Sequence, residues 1–318
     1  MTPFSRRTLL SAAAALASAG SAAALTRVLR IAWLKAPNDL TLAKSHGSIE
    51  ATLAPLGWRV EWAGPFAAAA PAIEALNAGA VDLTVGSSTA FVTARAAGVA
   101  MVMFGYQRMD PASEAIIVGV GSARHAITDL VGARVAVNRG GTGEYILVRA
   151  LAKAAVALES VTRIYLGPTD AGAAFTSGAV DAWAIWDPFL SIALSNGSAR
   201  VLADGAESGS ENAVAYFVSS DFLSANRPIM ERVLAVLERE NGEARAAPEM
   251  AGAIWTQAMG LPAALGARIA RNNTPPIGPV GETAARQIEH VADWYANNGI
   301  IPKRPEIAAF LVDLSARP

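Results

Sequence analysis

One four-residue segment occurs twice in the chain, and this repeat limits the possible folds more than any other feature. Gly-Ala-Val-Asp stands at residues 79–82 and again at residues 178–181. Each copy follows an alanine-rich helical segment and precedes an apolar strand, and each is preceded by the same order of strand, polar loop, helix, strand and helix. Strands that alternate with helices are typical of parallel βαβ units. Their duplication predicts two lobes of similar plan.

The order of the predicted elements assigns the chain to the α/β class. The chain is predicted to cross between lobes at Ala115–Val118 and to return at Ala213–Ser219. This gives a first lobe of residues 27–114 and 219–318 and a second lobe of residues 115–218. Beyond residue 219 the pattern is helical, and these helices are expected to pack on the first lobe. Each lobe should then hold a mainly parallel sheet flanked by helices.

The composition excludes several functional classes. The 318 residues include 26 Lys+Arg and 27 Asp+Glu, so the chain has no basic field for binding nucleic acid. It contains no cysteine, which excludes disulfides, thiolate nucleophiles and cysteine-ligated zinc or iron–sulfur clusters. Its three histidines have no partner at a metal-ligand spacing, and no Ser-His-Asp or paired-carboxylate arrangement is evident. We therefore expect no enzyme, no metal, no cofactor and no catalytic residue.

The N-terminus has the pattern of an export leader. Ser5 to Leu10 contains the pair Arg6-Arg7 and is followed by an alanine-rich apolar segment and a region of small residues. This is a twin-arginine type of signal peptide. The apolar segment is shorter than the roughly 20 residues of a membrane span. We predict cleavage of residues 1–24 and release of a soluble periplasmic protein, with an uncleaved anchor as the alternative.

A tryptophan-rich segment marks the end of one predicted strand. Residues 179–185 form a short apolar run that suits a strand buried on both faces. It leads through Trp183 to Trp186 and Asp187, and Pro188 then ends the strand. Ligands of open α/β sheets bind outside the carboxyl ends of the strands. The segment therefore predicts one wall of a binding crevice, although both tryptophans could instead be core residues, with Asp187 capping the next helix.

Two other turns carry hydrogen-bond donors suited to an anion. Ser87, Ser88 and Thr89 follow a predicted strand and begin a helix, where hydroxyl and amide groups can hold an anion or simply cap the helix. In the second lobe, Gly141, Thr142 and Gly143 form a glycine-rich turn at another helix start. This turn does not match the dinucleotide or P-loop spacing.

Two charged residues near these predicted strand ends complete the candidate site. Glu144 lies in the first helical turn after the glycine-rich segment, where it can also complement the helix dipole. Lys35 follows the first strand, and an ordinary surface lysine is its alternative interpretation.

Four segments of the chain resemble one known family. They are Leu42 to His46, Glu74 to Asp82, Tyr165 to Pro188 with its Trp-Ala-Ile-Trp-Asp-Pro run, and Met259 to Pro262. In these segments the mature chain resembles the aliphatic-sulfonate and taurine-type periplasmic binding proteins of ABC importers. The resemblance departs in two places. Ser88 stands where relatives often carry an acidic residue, and Gly141 to Glu144 replace an expected run of serines and a histidine.

The resemblance implies a two-lobed, type II periplasmic binding fold with a small oxyanion in the cleft between the lobes. It also implies delivery of the solute to a membrane permease that a cytoplasmic ATPase powers, by a receptor expected to be monomeric. We expect Thr142, Ser88 and nearby amides to hold a sulfonate, with Lys35 assisting. Trp183 and Trp186 would cover its tail, and Asp187 or Glu144 would engage a polar end. Nitrate, a thiamine precursor or an aromatic acid remain alternative ligands, and a sensor remains an alternative to the permease.

Overall fold

The computed structural model describes residues 27–315, so the predicted leader lies outside the described residues. The described chain holds eleven strands and twelve α-helices. The strands are β1 (Arg27–Leu34), β2 (Trp58–Phe66), β3 (Leu83–Ser87), β4 (Met101–Arg108), β5 (Glu114–Gly119), β6 (Arg134–Val137), β7 (Thr162–Tyr165), β8 (Ala182–Trp186), β9 (Ala199–Asp204), β10 (Ala213–Ser219) and β11 (Ile277–Gly278).

The helices are α1 (Asp39–His46), α2 (Ser48–Leu53), α3 (Ala69–Asn77), α4 (Ser88–Ala96), α5 (Thr142–Lys153), α6 (Pro168–Thr176), α7 (Phe189–Ser195), α8 (Gly205–Ser208), α9 (Ser220–Ala246), α10 (Pro248–Met259), α11 (Gly266–Asn273) and α12 (Glu282–Asn297). Short 3-10 helices lie at Ala54–Leu56, Pro111–Ser113, Ile127–Leu130, Leu158–Ser160, Ala263–Leu265 and Ala308–Phe310. Within residues 27–315, no helix combines the length and apolar character that crossing a membrane requires.

The strands form two separate sheets of the same plan. The first sheet has the order β11-β4-β10-β3-β1-β2, and the second has the order β7-β6-β8-β5-β9. In the first sheet, β1 pairs in parallel with β2 and β3, and β10 runs antiparallel to β3 and β4. In the second sheet, β6 pairs in parallel with β7 and β8, and β5 runs antiparallel to β8 and β9. The predicted α/β fold with two sheets flanked by helices is confirmed, and each sheet is mixed, with both parallel and antiparallel pairs.

Strands β5 and β10, each antiparallel to both of its neighbours, are the ones that follow the links between the sheets. The chain leaves the first sheet after β4 and enters the second as β5, and it leaves the second after β9 and returns as β10. The structure thus places Ala213–Ser219 in the first sheet, although the predicted boundary assigned residues up to 218 to the second lobe. It likewise places Glu114 in the second sheet, one residue before the predicted boundary. A crossing strand is equally apolar whichever sheet it joins, so its sequence does not indicate the partner sheet.

The repeated Gly-Ala-Val-Asp segment has the same structural role in both halves. Asp82 accepts hydrogen bonds from the backbone N–H of Arg30 (2.8 Å) and from its guanidinium. Asp181 accepts the same two kinds of bond from Arg134 (2.8 and 3.1 Å). In both copies the arginine also donates to the carbonyl of the motif's glycine, which adopts positive φ. The motif therefore ties the start of one strand to its neighbour and serves the fold.

The C-terminal helices pack on the first sheet, as predicted. Helix α9 contacts β4, β10 and β11, and α12 contacts α4. The backbone of α9 departs from helical geometry at Asn226, two residues before Pro228, where the proline ring cannot continue the regular hydrogen-bond pattern. These helices extend the first hydrophobic core, which includes Tyr216, Phe217 and Ile288.

Candidate functional site

A cavity of about 510 Å³ lies between the two sheets. The loops that follow β1, β3, β6, β7 and β8 all contribute to its wall, which agrees with ligand binding at the carboxyl ends of strands. Much of the lining is apolar, with a smaller set of polar groups. The apolar lining includes Leu34, Ile73, Val85, Ala90, Met109, Trp186 and Val214.

Five helices begin at this cavity. The residues that precede α1, α3, α4, α5 and α6 all line it, namely Asn38, Ala68, Ser87, Gly141 and Gly167. Amide groups in the first turn of a helix have no partner within the helix, and the helix dipole gives them a partial positive charge. The cavity thus lies where several helices concentrate positive potential.

The helix starts differ in how many amide groups they leave for a ligand. At α1 the Asn38 side chain accepts from Thr41 N–H, and at α4 the Ser87 hydroxyl accepts from Ala90 N–H (both 3.1 Å). The N-cap residues of α3, α5 and α6 make no side-chain cap bond, although at α5 the Asn138 side chain accepts from Gly143 N–H (2.8 Å). Helix α3 begins on the first-sheet side and α5 on the second-sheet side, so first-turn residues of two helices, Ala69 and Ala70 of α3 and Thr142 of α5, line the cavity from both halves.

A buried carboxylate braces the glycine-rich turn before α5. Glu144 accepts hydrogen bonds from Gly140 N–H (2.6 Å), from the Arg163 guanidinium (2.7 Å) and from the Tyr165 hydroxyl (2.7 Å). Burial is the main cause that raises the pKa of Tyr165, and Glu144 adds to it. The carboxylate is therefore fully engaged by the protein, and its contacts join the turn to β7.

Hydroxyl groups from the first-sheet side also hold this turn. Thr93 of α4 donates to the Gly140 carbonyl (2.7 Å), and Tyr295 of α12 donates to the Gly141 carbonyl (3.4 Å). These hydrogen bonds span the cleft beside the cavity. The turn is thus fixed from both halves of the molecule.

Arg139 places a cation at the cavity. Its guanidinium lies 3.6 Å from the centre of the Tyr165 ring, and both residues line the cavity. Such stacking restrains an arginine while leaving its N–H donors available. Arg139 itself is exposed, which places this charge at the cavity's rim.

Asp187 is buried at the cavity wall and is held by hydrogen bonds from both halves. It accepts from the Ser191 N–H and hydroxyl (3.0 and 2.6 Å) and from the side-chain amides of Asn273 (3.0 Å) and Asn272 (3.3 Å). Burial raises the pKa of Asp187, and these four donors act against that rise. Since Asn272 and Asn273 belong to α11, the contact joins the end of β8 to the C-terminal helices.

The structure brings five of the eleven predicted site residues to the cavity. They are Ser87, Gly141, Thr142, Trp186 and Asp187. The other six predicted residues do not line it: Lys35, Ser88, Thr89, Gly143, Glu144 and Trp183.

Exposure or local contacts account for four of these six residues. Lys35 is exposed. The Ser88 hydroxyl accepts from Ala213 N–H (3.2 Å), and the Thr89 hydroxyl donates to Asn212. Trp183 packs in the second-sheet core against Phe175 because alternate residues of β8 face opposite sides of the sheet, which leaves Trp186 alone of the two tryptophans at the cavity.

Sequence reasoning missed two contributors to the site. The start of α3 is a run of alanines, Ala67 to Ala70, which offers backbone amides and no polar side chain. Pro71 in its first turn was the available sign of a helix start. Arg139 directly precedes the glycine-rich turn, but the sequence does not distinguish it from Lys35, which is equally basic and follows the first strand.

One group of metal-ligand side chains lies away from the cavity. The ligand atoms of His46, Glu240 and Glu243 lie within 4.8 Å of one another, and none of these residues lines the cavity. The His46 Nδ1 and the buried Glu240 carboxylate are 2.7 Å apart, so an ordinary hydrogen bond accounts for their approach.

Comparison with known proteins agrees with this geometry. Residues 59–251 match the family model described as NMT1/THI5 like. An aliphatic sulfonates-binding protein of Escherichia coli (strain K12) is 34% identical over 280 residues, which cover 88% of this chain and 86% of that protein.

Two solved structures share the fold over nearly its whole length. The alkanesulfonate-binding protein SsuA from Xanthomonas axonopodis pv. citri, bound to MOPS, superimposes with a TM-score of 0.84 at 31% identity and covers 90% of this chain and 98% of its own. The periplasmic aliphatic sulphonate binding protein SsuA from Escherichia coli gives a TM-score of 0.80 at 33% identity and covers 90% and 97%. The chain therefore belongs to the NMT1/THI5-like family and is a homologue of the aliphatic sulfonates-binding proteins, with their two-lobed periplasmic binding fold.

Proposed function

We propose that this protein captures an organic sulfonate in the cavity between its two sheets and delivers it to an ABC importer. The observation that carries the proposal is that two helix starts whose N-cap residues make no side-chain cap bond, those of α3 and α5, line one cavity from opposite halves of the molecule. A sulfonate is a fully ionised tetrahedral group with three acceptor oxygens. It needs convergent N–H and O–H donors, which such helix starts supply.

The donors available to the sulfonate come from both halves. Ala69 and Ala70 offer the first amides of α3, and Thr142 offers an amide and a hydroxyl at the start of α5. Arg139 adds a positive charge at the rim. Charge-assisted hydrogen bonds are stronger than neutral ones, and micromolar affinity requires a binding free energy of about −8 kcal/mol. A few such bonds and the burial of a tail suffice for this affinity.

The apolar part of the cavity suits an organic tail. Trp186 lines it and packs edge-on against Phe189, with ring centres 6.2 Å apart. Met109 and Val214 lie on the same cavity. Inorganic sulfate would leave this surface without a partner, so the apolar lining favours a sulfonate with a carbon chain.

The proposal is capture without chemical conversion. Asp187, the buried carboxylate at the cavity, accepts four hydrogen bonds from protein groups. The homologues are binding proteins by name. Incubation with the bound sulfonate should therefore return it unchanged, and release of sulfite would contradict this part of the proposal.

The same homology supports a periplasmic receptor that works with a permease and an ATPase at the inner membrane. We propose that the mature protein acts there as a monomer. Light scattering on the purified protein checks the monomer, and the mass of the exported form checks cleavage of residues 1–24. An exported form that retains Met1 would contradict cleavage.

Isothermal titration calorimetry with ethanesulfonate, taurine, sulfate and nitrate tests the ligand assignment. We expect ethanesulfonate to bind and Arg139→Gln to weaken it by about 1.5–3 kcal/mol, roughly 10- to 150-fold, because a bond to a charged donor is lost. Arg268→Gln is the matched control, since Arg268 is an exposed arginine that does not line the cavity. Binding of nitrate with no heat from any sulfonate would overturn the assignment.

A further inference from the structure

A buried carboxyl and a buried carboxamide contact each other where the two links between the sheets end. Glu114 is the first residue of β5, directly after the outward link, and Asn212 directly precedes β10, at the end of the return link. Both side chains are 2% exposed. The Asn212 side-chain amide donates to Glu114 Oε2 at 2.9 Å, so the two links are joined by a hydrogen bond.

This hydrogen bond continues toward the cavity. Thr89 Oγ1 donates to Asn212 Oδ1 at 3.3 Å, and the hydroxyls of Thr89 and Ser87 are 2.8 Å apart. The Ser87 hydroxyl also accepts from Ala90 N–H, and Ser87 lines the cavity. A continuous series of four side chains therefore runs from Glu114 to the ligand cavity.

The number of protons on each group fixes the direction of every bond in this series. Asn212 uses its NH₂ group on the Glu114 carboxylate, so its oxygen faces Thr89 and accepts the single Thr89 proton. Thr89 must then accept from Ser87. The Ser87 proton is consequently turned away from the cavity, and Ser87 offers a bound anion only a lone pair.

Protonation of Glu114 reverses the whole series. A neutral Glu114 carboxyl donates its own proton to the Asn212 oxygen once the Asn212 amide has rotated by 180°. The amide NH₂ then donates to Thr89, and Thr89 donates to Ser87. The Ser87 hydroxyl keeps its acceptor bond from Ala90 N–H and is left free to donate its proton to an anion in the cavity.

We propose that Glu114 is a positioning residue for anion binding, which acts through Asn212 and Thr89 to set whether the Ser87 hydroxyl donates into the cavity. The inference deepens the proposed function, since it rests on an anionic ligand in that cavity. Glu114 never touches the ligand. Its effect reaches the cavity through the consecutive hydrogen bonds of Asn212, Thr89 and Ser87, and the Tyr295 hydroxyl is a further hydrogen-bond partner of Thr89.

The surroundings of Glu114 let both states occur near neutral pH. The pKa of Glu114 is raised to about 7, chiefly by burial and also by Asp204 at the end of β9, while hydrogen bonds with Ser210 and Asn212 act against that rise. The hydroxyl groups of Tyr145 and Tyr295 also interact electrostatically with the Glu114 carboxyl. Burial raises the pKa of both tyrosines far above neutrality, so neither gains a charge in this range.

Ligand binding should therefore be linked to proton uptake. An anion that prefers the protonated form of Glu114 binds with full affinity below the pKa of that carboxyl and more weakly above it. With a pKa of about 7, the dissociation constant should be about tenfold larger at pH 8 than at pH 6. A sulfonate remains ionised throughout this range, so the ligand contributes no such change.

Calorimetric titration of the full mature protein with ethanesulfonate tests the inference, at pH 6 and pH 8 and in two buffers with different ionisation enthalpies. We expect the tenfold difference in dissociation constant and uptake of up to one proton at pH 8. Glu114→Gln should bind at pH 8 as the unchanged protein binds at pH 6, without proton uptake, since its carboxamide donates to Asn212 as the neutral acid would. Thr89→Val interrupts the series and should also abolish proton uptake.

Asp39→Asn is the matched control. Asp39 is another buried carboxyl whose pKa burial raises to about 7, but it does not line the cavity and does not belong to the series. This variant should keep the pH dependence of binding. Equal sulfonate affinity at pH 6 and pH 8 without proton uptake in the unchanged protein would overturn the inference while leaving the proposed function intact. Absence of sulfonate binding at both pH values would instead refute the proposed function.

Discussion

Gly143→Ala is the sharpest test of how the glycine-rich turn is built. A Cβ added at Gly143 would lie 2.4 Å from the carbonyl oxygen of Ala184 and 2.8 Å from Asn138 Oδ1. The Ala184 oxygen belongs to the backbone in the middle of β8, and a backbone atom of a strand cannot move aside as the end of a flexible side chain can. Asn138 Oδ1 is also the acceptor for Gly143 N–H at 2.8 Å. The added methyl group must therefore push the first turn of α5 away from the sheet.

The size of the effect follows from these contacts. Overpacking of a well-packed site costs typically about 1–3 kcal/mol, and loss of the hydrogen bond to Asn138 adds about 1 kcal/mol. We expect the free energy of unfolding to fall by about 2–4 kcal/mol. Displacement of the turn also moves the Thr142 donors, so sulfonate affinity should fall by about 10- to 150-fold if one charge-assisted hydrogen bond is lost.

Urea unfolding followed by circular dichroism measures the stability, and calorimetry measures the affinity. Gly242→Ala is the control, because Gly242 is exposed within α9 and an added Cβ there meets nothing within 4 Å. Alanine is favoured over glycine in a helix, so this variant should gain about 0.5–1 kcal/mol. A Gly143→Ala protein with unchanged unfolding free energy and unchanged sulfonate affinity would refute the reasoning.

Two further substitutions test the buried carboxylates. Glu144→Gln should lower the free energy of unfolding by about 2–4 kcal/mol in urea titrations, because Arg163 and the turn lose a charged acceptor. The affinities of this variant for ethanesulfonate and taurine should fall equally. A loss of affinity confined to taurine would mean that Glu144 contacts the ligand's amine. Burial raises the pKa of Asp39 to about 7, so the folded state holds this proton more tightly than the unfolded chain, and stability falls as pH rises from about 4 to 7. Asp39→Asn should remove up to about 4 kcal/mol of that fall in unfolding curves at pH 4 and pH 8, and an unaltered pH profile would contradict the assignment.

The fold could be predicted from the sequence because its main signals are local. The repeated Gly-Ala-Val-Asp segment fixes equivalent strand starts through Arg30 and Arg134, and the alternation of strands and helices is visible between the copies. The elements that were missed carry weak local signals. Strand β9 is half-exposed along its length, and β11 has two residues, so neither gives a clear apolar pattern.

The candidate site was harder to predict, because whether a polar side chain faces the cavity depends on its tertiary partners. Ser87 and Ser88 are adjacent, yet Ser87 lines the cavity, whereas the Ser88 hydroxyl accepts from the backbone N–H of Ala213 in β10, which is 125 residues away in sequence. The sequence makes Glu144 a plausible ligand contact, whereas in the structure Arg163 and Tyr165 donate to its carboxylate. The alanines at the start of α3 contribute through their backbone amides, and no polar side chain in the sequence indicates that contribution.

The placement of β10 has a consequence for the order of folding. All five strands of the second sheet come from the continuous segment between Glu114 and Asp204, whereas the first sheet needs β10 between β3 and β4. During synthesis, the second sheet can close while the first still lacks an interior strand. Pairing across long sequence separation is slow, so refolding should show early amide-hydrogen protection in the second sheet and later protection in β3 and β4.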